Sequence, residues 1–449
     1  MNLTLSGNVG FKVLGIGVLV LLMLIPLAQV EGLVQERAAR AADAARQIAL
    51  RWGDAQAVAG AVVVVPVQRT IETLAPASTA AAGETAARTM RRVEDMHYVL
   101  PEELVLHARL QPELRSYGLY TSVVYLAELK VEGHFSGADL AVFARDGGEP
   151  QWQRAQLRVP IADVHGIRRA SPARIGALER EFGPSAGGVA GSAAIMLPFP
   201  ELARVASQPK LPFSFELTLA GSERLSVVPL ARKTTAHIEG AWSDPGFDGD
   251  FLPARREVDA AGFNADWQVL DLNRRLPQHW VDDGTATLAA PGGDFGVSLL
   301  RTANPYQRNT RAGKYGVLFV VFTFTAFFLF EVLRGLRLHP LQYLLVGAAL
   351  CMFYVLLLAL SEHVGFAAAY AVAATTIAVV LGGYAASVLR QRRIGLGLGG
   401  LIGLVYLLLY GLISSEDYAL LMGALALLAA LAAVMLLTRK VDWYRQSER

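Results

Sequence analysis

The sequence predicts a polytopic α-helical membrane protein of six spans that also carries a large, mainly-β extracytoplasmic domain with antiparallel, sandwich-like sheets. Three observations predict it. Apolar residues make up 53% of the chain and charged residues only 18%, too greasy for a soluble enzyme, and the excess is gathered at the two ends. After residue 313 the chain falls into five apolar blocks, each near the roughly 20 residues that cross a hydrocarbon core of about 30 Å. Between the ends, several runs alternate apolar and polar residues with period two, as strands with one wet face do.

The predicted organisation is an N-terminal membrane anchor over residues 1–30, a β-rich domain over 31–313, a five-helix transmembrane bundle over 314–438 and a cytoplasmic tail over 439–449. Val13 to Val30 is an apolar run behind Lys12. Ala28-Gln29-Val30 is a poor small-residue cleavage site, so the run reads as an uncleaved anchor. Leu33 to Trp52, rich in Ala, Arg and Gln, reads as a surface helix leaving the membrane. Ala61 to Val67, AVVVVPV, is a compact β-branched run and reads as a buried strand. Ala75 to Ala87 has loop composition.

Strands then dominate. Leu104, Leu106, Ala108 and Leu110 fall on one face, and Val105, His107 and Arg109 on the other. Ala127, Leu129 and Val131 alternate with Glu128 and Lys130. Phe213, Phe215, Leu217 and Leu219 alternate with Ser214, Glu216 and Thr218. Gly, Pro and Asp break these runs, which argues for antiparallel sheets. The apolar blocks that follow are Tyr315–Leu333, Leu341–Leu360, Gly365–Leu389, Ile394–Ile413 and Tyr418–Leu437.

Orientation follows from the short loops. Alternate loops hold Arg334 and Arg337, then Arg390, Arg392 and Arg393, and the tail adds Arg439, Lys440 and Arg445. The intervening loops, Ser361–Val364 and Ser414–Asp417, contain no Lys or Arg. Basic loops stay in the cytoplasm, so both termini lie inside and the β-rich domain outside. Arg37, Arg40 and Arg46 outweigh Lys12, and Arg308, Arg311 and Lys314 flank the next span on the outer side. Long domains cross largely regardless of charge, so the short loops decide.

A net charge of +2 gives no support for nucleic-acid binding. The one cysteine, Cys351, sits inside an apolar span. That excludes a disulfide framework, a CxxC redox pair and a thiolate zinc site.

Few residues present chemistry. Gly395 to Gly400 has the glycine richness of a dinucleotide loop, but it opens a membrane span instead of following a strand. Gly395, Gly399 and Gly403 share one helical face, where small residues let a neighbouring helix approach. Asp244, Asp248 and Asp250 lie across a tight turn whose Asp-Pro-Gly and Asp-Gly steps are ordinary turn chemistry, preferred here to a calcium site. His97, His107, His134, His165, His237 and His279 are scattered, with no HxH or HExxH. Ser192 lacks the second glycine of GxSxG. Glu331, His339, Glu362 and His363 stand at membrane boundaries, where headgroups and solvent can satisfy them, so they read as interface anchors ahead of a proton or ion path. Thr375, Thr376, Tyr384 and Tyr406 lie deeper, but no charge does, which argues against an ion-coupled transporter.

Several stretches carry a family resemblance. They are KYGVLFVVFTFTAFFLFE, RLHPLQYLLVGAALCMFYVLLLALSEHVGF, LTRKVDWY, and GDFLPARREV followed by GFNADWQ. With the layout of anchor, large domain and terminal bundle, they resemble the CreD family of bacterial inner-membrane proteins, described as cell-envelope integrity proteins. The likeness is strong at the membrane end and from Leu225 to Gln268, and loose from about Gly137 to Lys210. The resemblance implies the Gram-negative inner membrane and an envelope stress role under a two-component system, connected with β-lactam response. It supplies no catalytic residues.

The expectation is therefore a non-enzymatic inner-membrane protein without a cofactor or metal. Its periplasmic domain binds or senses an envelope component, and its other partner is the lipid bilayer. The rival expectation is a transporter or flippase-like protein whose bundle handles a lipid or envelope precursor. An envelope hydrolase comes third.

Overall fold

The computed structural model describes residues 9–74, 88–145, 148–185, 187–274, 276–282, 293–299, 305–334, 338–388, 392–415 and 418–439. The loop expected at 75–87 and the tail beyond 439 lie outside them. The chain divides into two compact units, one of Met1–Ala42 with Ala303–Arg449, the other of Asp43–Thr302.

Helix α1 runs without a break from Val9 to Trp52. Its polar half is built from good helix formers and is laced by Arg40 to Glu36 and Arg46 to Asp43, both 2.5 Å, pairs of the spacing that supports an isolated helix. Gly53 ends it. Its φ of 146° suits glycine, and a Cβ there would stand 2.3 Å from the Ala220 carbonyl oxygen.

Among the described residues, the unit Asp43–Thr302 holds three sheets and three single-turn helices, α2 (Gly137–Leu140), α3 (Val142–Arg145) and α4 (Leu202–Val205). A nine-stranded sheet has four neighbouring strands at its centre, in the order Lys210–Ser222, Tyr120–Ser136, Glu103–Tyr117 and Lys233–Gly240. The first three pair antiparallel, while Glu103–Tyr117 and Lys233–Gly240 run parallel. Most other ladders are antiparallel, as expected, apart from Gln56–Ala59 with Arg224–Val228. The expected alternation is present: Leu104, Leu106, Ala108 and Leu110 are buried while His107 and Arg109 are exposed. Phe213, Phe215, Leu217 and Leu219 are likewise buried.

One core joins the sheets. Leu106 and Phe215 enter it from the nine-stranded sheet, Val63 and Val65 from a seven-stranded sheet, and Leu225 and Phe295 from a four-stranded one. Val62 and Val64 point the other way, into a second cluster with Tyr98 and Trp280. The valine run is thus buried on both faces, so it shows no alternation in the sequence.

The remaining unit is helical: α5 (Pro305–Lys314), α6 (Gly316–Arg334), α7 (Pro340–Val364), α8 (Phe366–Val388), α9 (Arg392–Ser414) and α10 (Ala419–Thr438), with the first part of α1. Among the described residues four helices are long and apolar enough to cross a membrane, α1, α7, α8 and α9. The α5–α6 pair makes a fifth if its 44° bend lies within one span. The expected last span corresponds to a shorter apolar stretch, Leu421–Leu436. Met23 and Leu27 of α1 pack with Phe319 and Phe324 of α6, Phe353 of α7 and Tyr406 of α9.

The expected β-rich limits of 31 and 313 differ from the observed unit, Asp43–Thr302. Residues 31–42 continue α1 instead of starting a new domain. Residues 305–313 form α5, whose Asn309 side chain donates to the buried Ser361 hydroxyl of α7 at 3.0 Å. A polar helix between a β-rich domain and a span reads as part of the domain until its bonding partners are known.

Candidate functional site

Two of the four expected boundary residues, Glu331 and Glu362, are built into buried networks of the helical unit. Glu331 near the end of α6 is 4% exposed. Its carboxylate accepts from Lys12 Nζ of α1 at 2.6 Å, from the Leu338 N–H at 3.0 Å and from the Tyr343 hydroxyl of α7 at 2.9 Å. Glu362, near the end of α7, accepts from the Tyr306 hydroxyl of α5 at 3.1 Å and lies 3.6 Å from Arg37 of α1. These carboxylates tie α1 to the helices beside it at two levels, Lys12 and Arg37. A carboxylate taken out of water needs such a full set of donors.

His339 and His363 have other roles. His339 is exposed and caps α7, its Nδ1 accepting from the Leu341 N–H at 3.3 Å and its own N–H donating to Gln342 at 2.9 Å. Pro340 follows at the first helical position, where its fixed φ suits the helix. His363 is exposed in the last turn of α7.

The β-rich unit presents a second candidate, on the wet face of its nine-stranded sheet. Cross-strand register sets side chains there in two rungs. One rung runs Glu216, Lys130, His107, His237, Asp266. The other runs Arg169, Thr218, Glu128, Arg109, Glu239. Opposite charges next to one another on a sheet face are mutually stabilising, and Arg109 Nε lies 3.0 Å from Glu239 Oε1. His237 Nδ1 lies 2.7 Å from Asp266 Oδ1, and its ring centroid is 5.7 Å from that of His107. Glu132 hydrogen-bonds Lys130 at 2.7 Å and raises its pKa. The surface is concave: nine of the ten rung side chains, all but Asp266, and their neighbours bound a groove of about 570 Å³.

A family model described as "Inner membrane protein CreD" matches residues 8–444. Inner membrane protein CreD of Escherichia coli (strain K12) is 34% identical over 437 residues, covering 95% of this chain and 91% of that protein. The chain belongs to the CreD family. The resemblance carried by the quoted stretches is thereby shown to extend over nearly the whole length.

In this CreD-family chain the other expected residues separate. Gly395 and Gly399 of α9 meet α8: a Cβ on Gly395 would stand 2.3 Å from Ala386 Cβ, and one on Gly399 3.3 Å from the Ala378 carbonyl oxygen. Gly403, expected on the same packed face, has open space at its Cβ position, because that end of α9 leaves a gap beside α8. Asp248 pairs with Arg224 Nε at 2.8 Å instead of joining Asp244 and Asp250 around an ion. Among the described residues no group of three or more His, Cys, Asp or Glu is placed to hold a metal.

The histidines are less scattered than the sequence suggests. Besides His107 with His237, His97 Nδ1 lies 3.1 Å from His279 Nε2, on paired strands. Sequence reading had no access to either pair, since 130 or more residues separate the partners. The usable signal for the first pair was that His107 and His237 each alternate with apolar residues and so had to share the wet face.

Proposed function

We propose that this chain is a multi-pass protein of the bacterial inner membrane that supports cell-envelope integrity under stress, and that it acts by binding rather than by catalysis. Its β-rich unit lies in the periplasm and takes an envelope component bearing both charges, through the two-rung groove on the nine-stranded sheet. The observation that carries this is the groove itself, where the cations Lys130, Arg109 and Arg169 and the anions Glu216, Glu128 and Glu239 are interspersed with two histidines on neighbouring strands. A ligand carrying amines and carboxylates together, as peptide-bearing envelope polymers do, exchanges partners with such a surface at little desolvation cost.

The helical unit holds the protein in the bilayer by six spans: α1, the bent α5–α6 pair, α7, α8, α9 and α10, with both termini in the cytoplasm. Supporting this, Lys12 meets Glu331, three residues before the basic loop of Arg334 and Arg337, so the start of α1 and that loop share one end of the bundle. The cytoplasmic side is the end rich in Lys and Arg.

The test is charge reversal in the full-length chain, Arg109→Glu with Lys130→Glu, in the native bacterium. Loss of the envelope phenotype at normal membrane levels is expected, together with loss of the adduct captured by a photocrosslinker at Thr218. If the phenotype persists with these changes but disappears with Glu362→Ala or Thr376→Leu, the binding reading is wrong. A lipid-handling bundle would then take its place.

A further inference from the structure

Between α8 and α9 lies an apolar groove of about 880 Å³, within the roughly 300–1,000 Å³ of ligand clefts. Local sequence explains it. Gly382, Gly395 and Gly399 bring the two backbones together, with a Gly382 Cβ position only 3.1 Å from the Gly399 Cα. On the outer side, Gly383, Gly400 and Gly403 have open space where a Cβ would stand. The floor is therefore bare backbone.

The ends differ from the middle. Arg392, exposed at the start of α9, lines one end, and among the described residues the lining contains no acidic residue. Tyr370, Tyr406 and Tyr410 line the other. The Tyr370 hydroxyl donates to the Tyr406 carbonyl at 2.7 Å. Tyr406 is 1% exposed, its ring packs on Phe319 and Phe353, and its hydroxyl has no hydrogen-bond partner among the described residues. The groove is thus apolar along its length, with a cation at one mouth.

Its length suits the membrane. From Arg392 to Tyr410 along α9 is roughly 27 Å at ~1.5 Å per residue, close to the ~30 Å hydrocarbon core. Its apolar, glycine-floored walls are suited to hydrocarbon chains lying along the helices. A cation at the mouth of a cleft between membrane helices is the arrangement that holds anionic headgroups.

We propose that the α8–α9 groove binds an anionic phospholipid, its phosphate at Arg392 and its acyl chains along the glycine floor. The experiment reconstitutes the full-length chain in nanodiscs of equal phosphatidylglycerol and phosphatidylcholine, transfers it to mild detergent and quantifies retained lipid by native mass spectrometry. Phosphatidylglycerol is expected to be retained about fivefold over phosphatidylcholine, the ratio that one arginine near a lipid phosphate supplies. Arg392→Ala should bring the ratio to parity and Arg392→Lys should keep it. Gly403→Leu should fill the groove and lower retention of both lipids while the protein stays monodisperse. Equal retention of the two lipids by the wild type would mean ordinary annular lipid and overturns the proposal. So would an unchanged ratio in Arg392→Ala, or a disulfide-linked dimer through Gly403→Cys showing that a second copy covers the groove.

Discussion

Replacing Gly395 by alanine adds a single methyl group at the tightest point of the α8–α9 contact. That methyl would stand 2.3 Å from Ala386 Cβ and 2.6 Å from both Ala386 Cα and the Gly382 carbonyl oxygen. Two of these atoms are backbone, so no side chain can swing aside, and α9 must move by about 1 Å to restore ordinary contact. Overpacking of this kind costs about 1–3 kcal/mol. Against it stands the backbone-entropy gain of Gly→Ala in a helix, about 0.5–1 kcal/mol. The net expectation is a loss of about 1–2 kcal/mol. Gly403→Ala is the matched control: the same chemical change two turns on, with open space around it, should be neutral or slightly stabilising. Gly399→Leu, with its Cβ 3.3 Å from the Ala378 carbonyl oxygen and Gly382 Cα, should lose more than either, since a branched side chain holds the helices apart. Thermal melting of the purified full-length variants in one detergent measures all three. If Gly395→Ala melts with the wild type, or Gly403→Ala melts below Gly395→Ala, the packing assignment is refuted.

Three further outcomes are expected. Glu331→Ala strips the acceptor from Lys12, Leu338 N–H and the Tyr343 hydroxyl and should cost about 1–3 kcal/mol in the same melting assay, with Glu331→Gln in between; equal melting of all three would show that the network contributes nothing. Reporters fused after Gly313, Glu362 and Asp417 should report periplasm and those after Arg337, Arg393 and Arg445 cytoplasm, and a cytoplasmic signal at Asp417 would break the six-span reading. In Asp163, burial works against ionisation, but hydrogen bonds from the Asp54 and His165 N–H groups prevail and hold its pKa below the usual carboxylate value. Its contribution is whole above the unfolded value of about 3.9 and is lost as pH falls toward the folded one. Asp163→Asn should therefore lower the melting temperature at neutral pH and flatten its fall in acid, and parallel pH profiles for the two proteins would contradict this.

The sequence by itself determined those features that depend on near neighbours. Alternation at Leu104–Leu110 named the buried and wet sides of a central strand correctly, because successive strand side chains point to opposite faces whatever the strand pairs with. Apolar length alone identified α7, α8 and α9 as helices able to cross a bilayer. The family was legible in short stretches such as RLHPLQYLL. The tertiary structure decided whatever depends on a distant partner. Glu331 and His339 looked alike as boundary residues, yet Lys12 and Tyr343 surround one while the other caps its own helix. Gly399 and Gly403 are one turn apart on α9, and only the position of α8 makes the first a contact and the second a groove floor. His107 meets His237 because two strands remote in sequence lie parallel in one sheet. A helical or strand period is a property of local backbone geometry, but a neighbour across a sheet or bundle is selected by the packing of the whole unit, which no local spacing records.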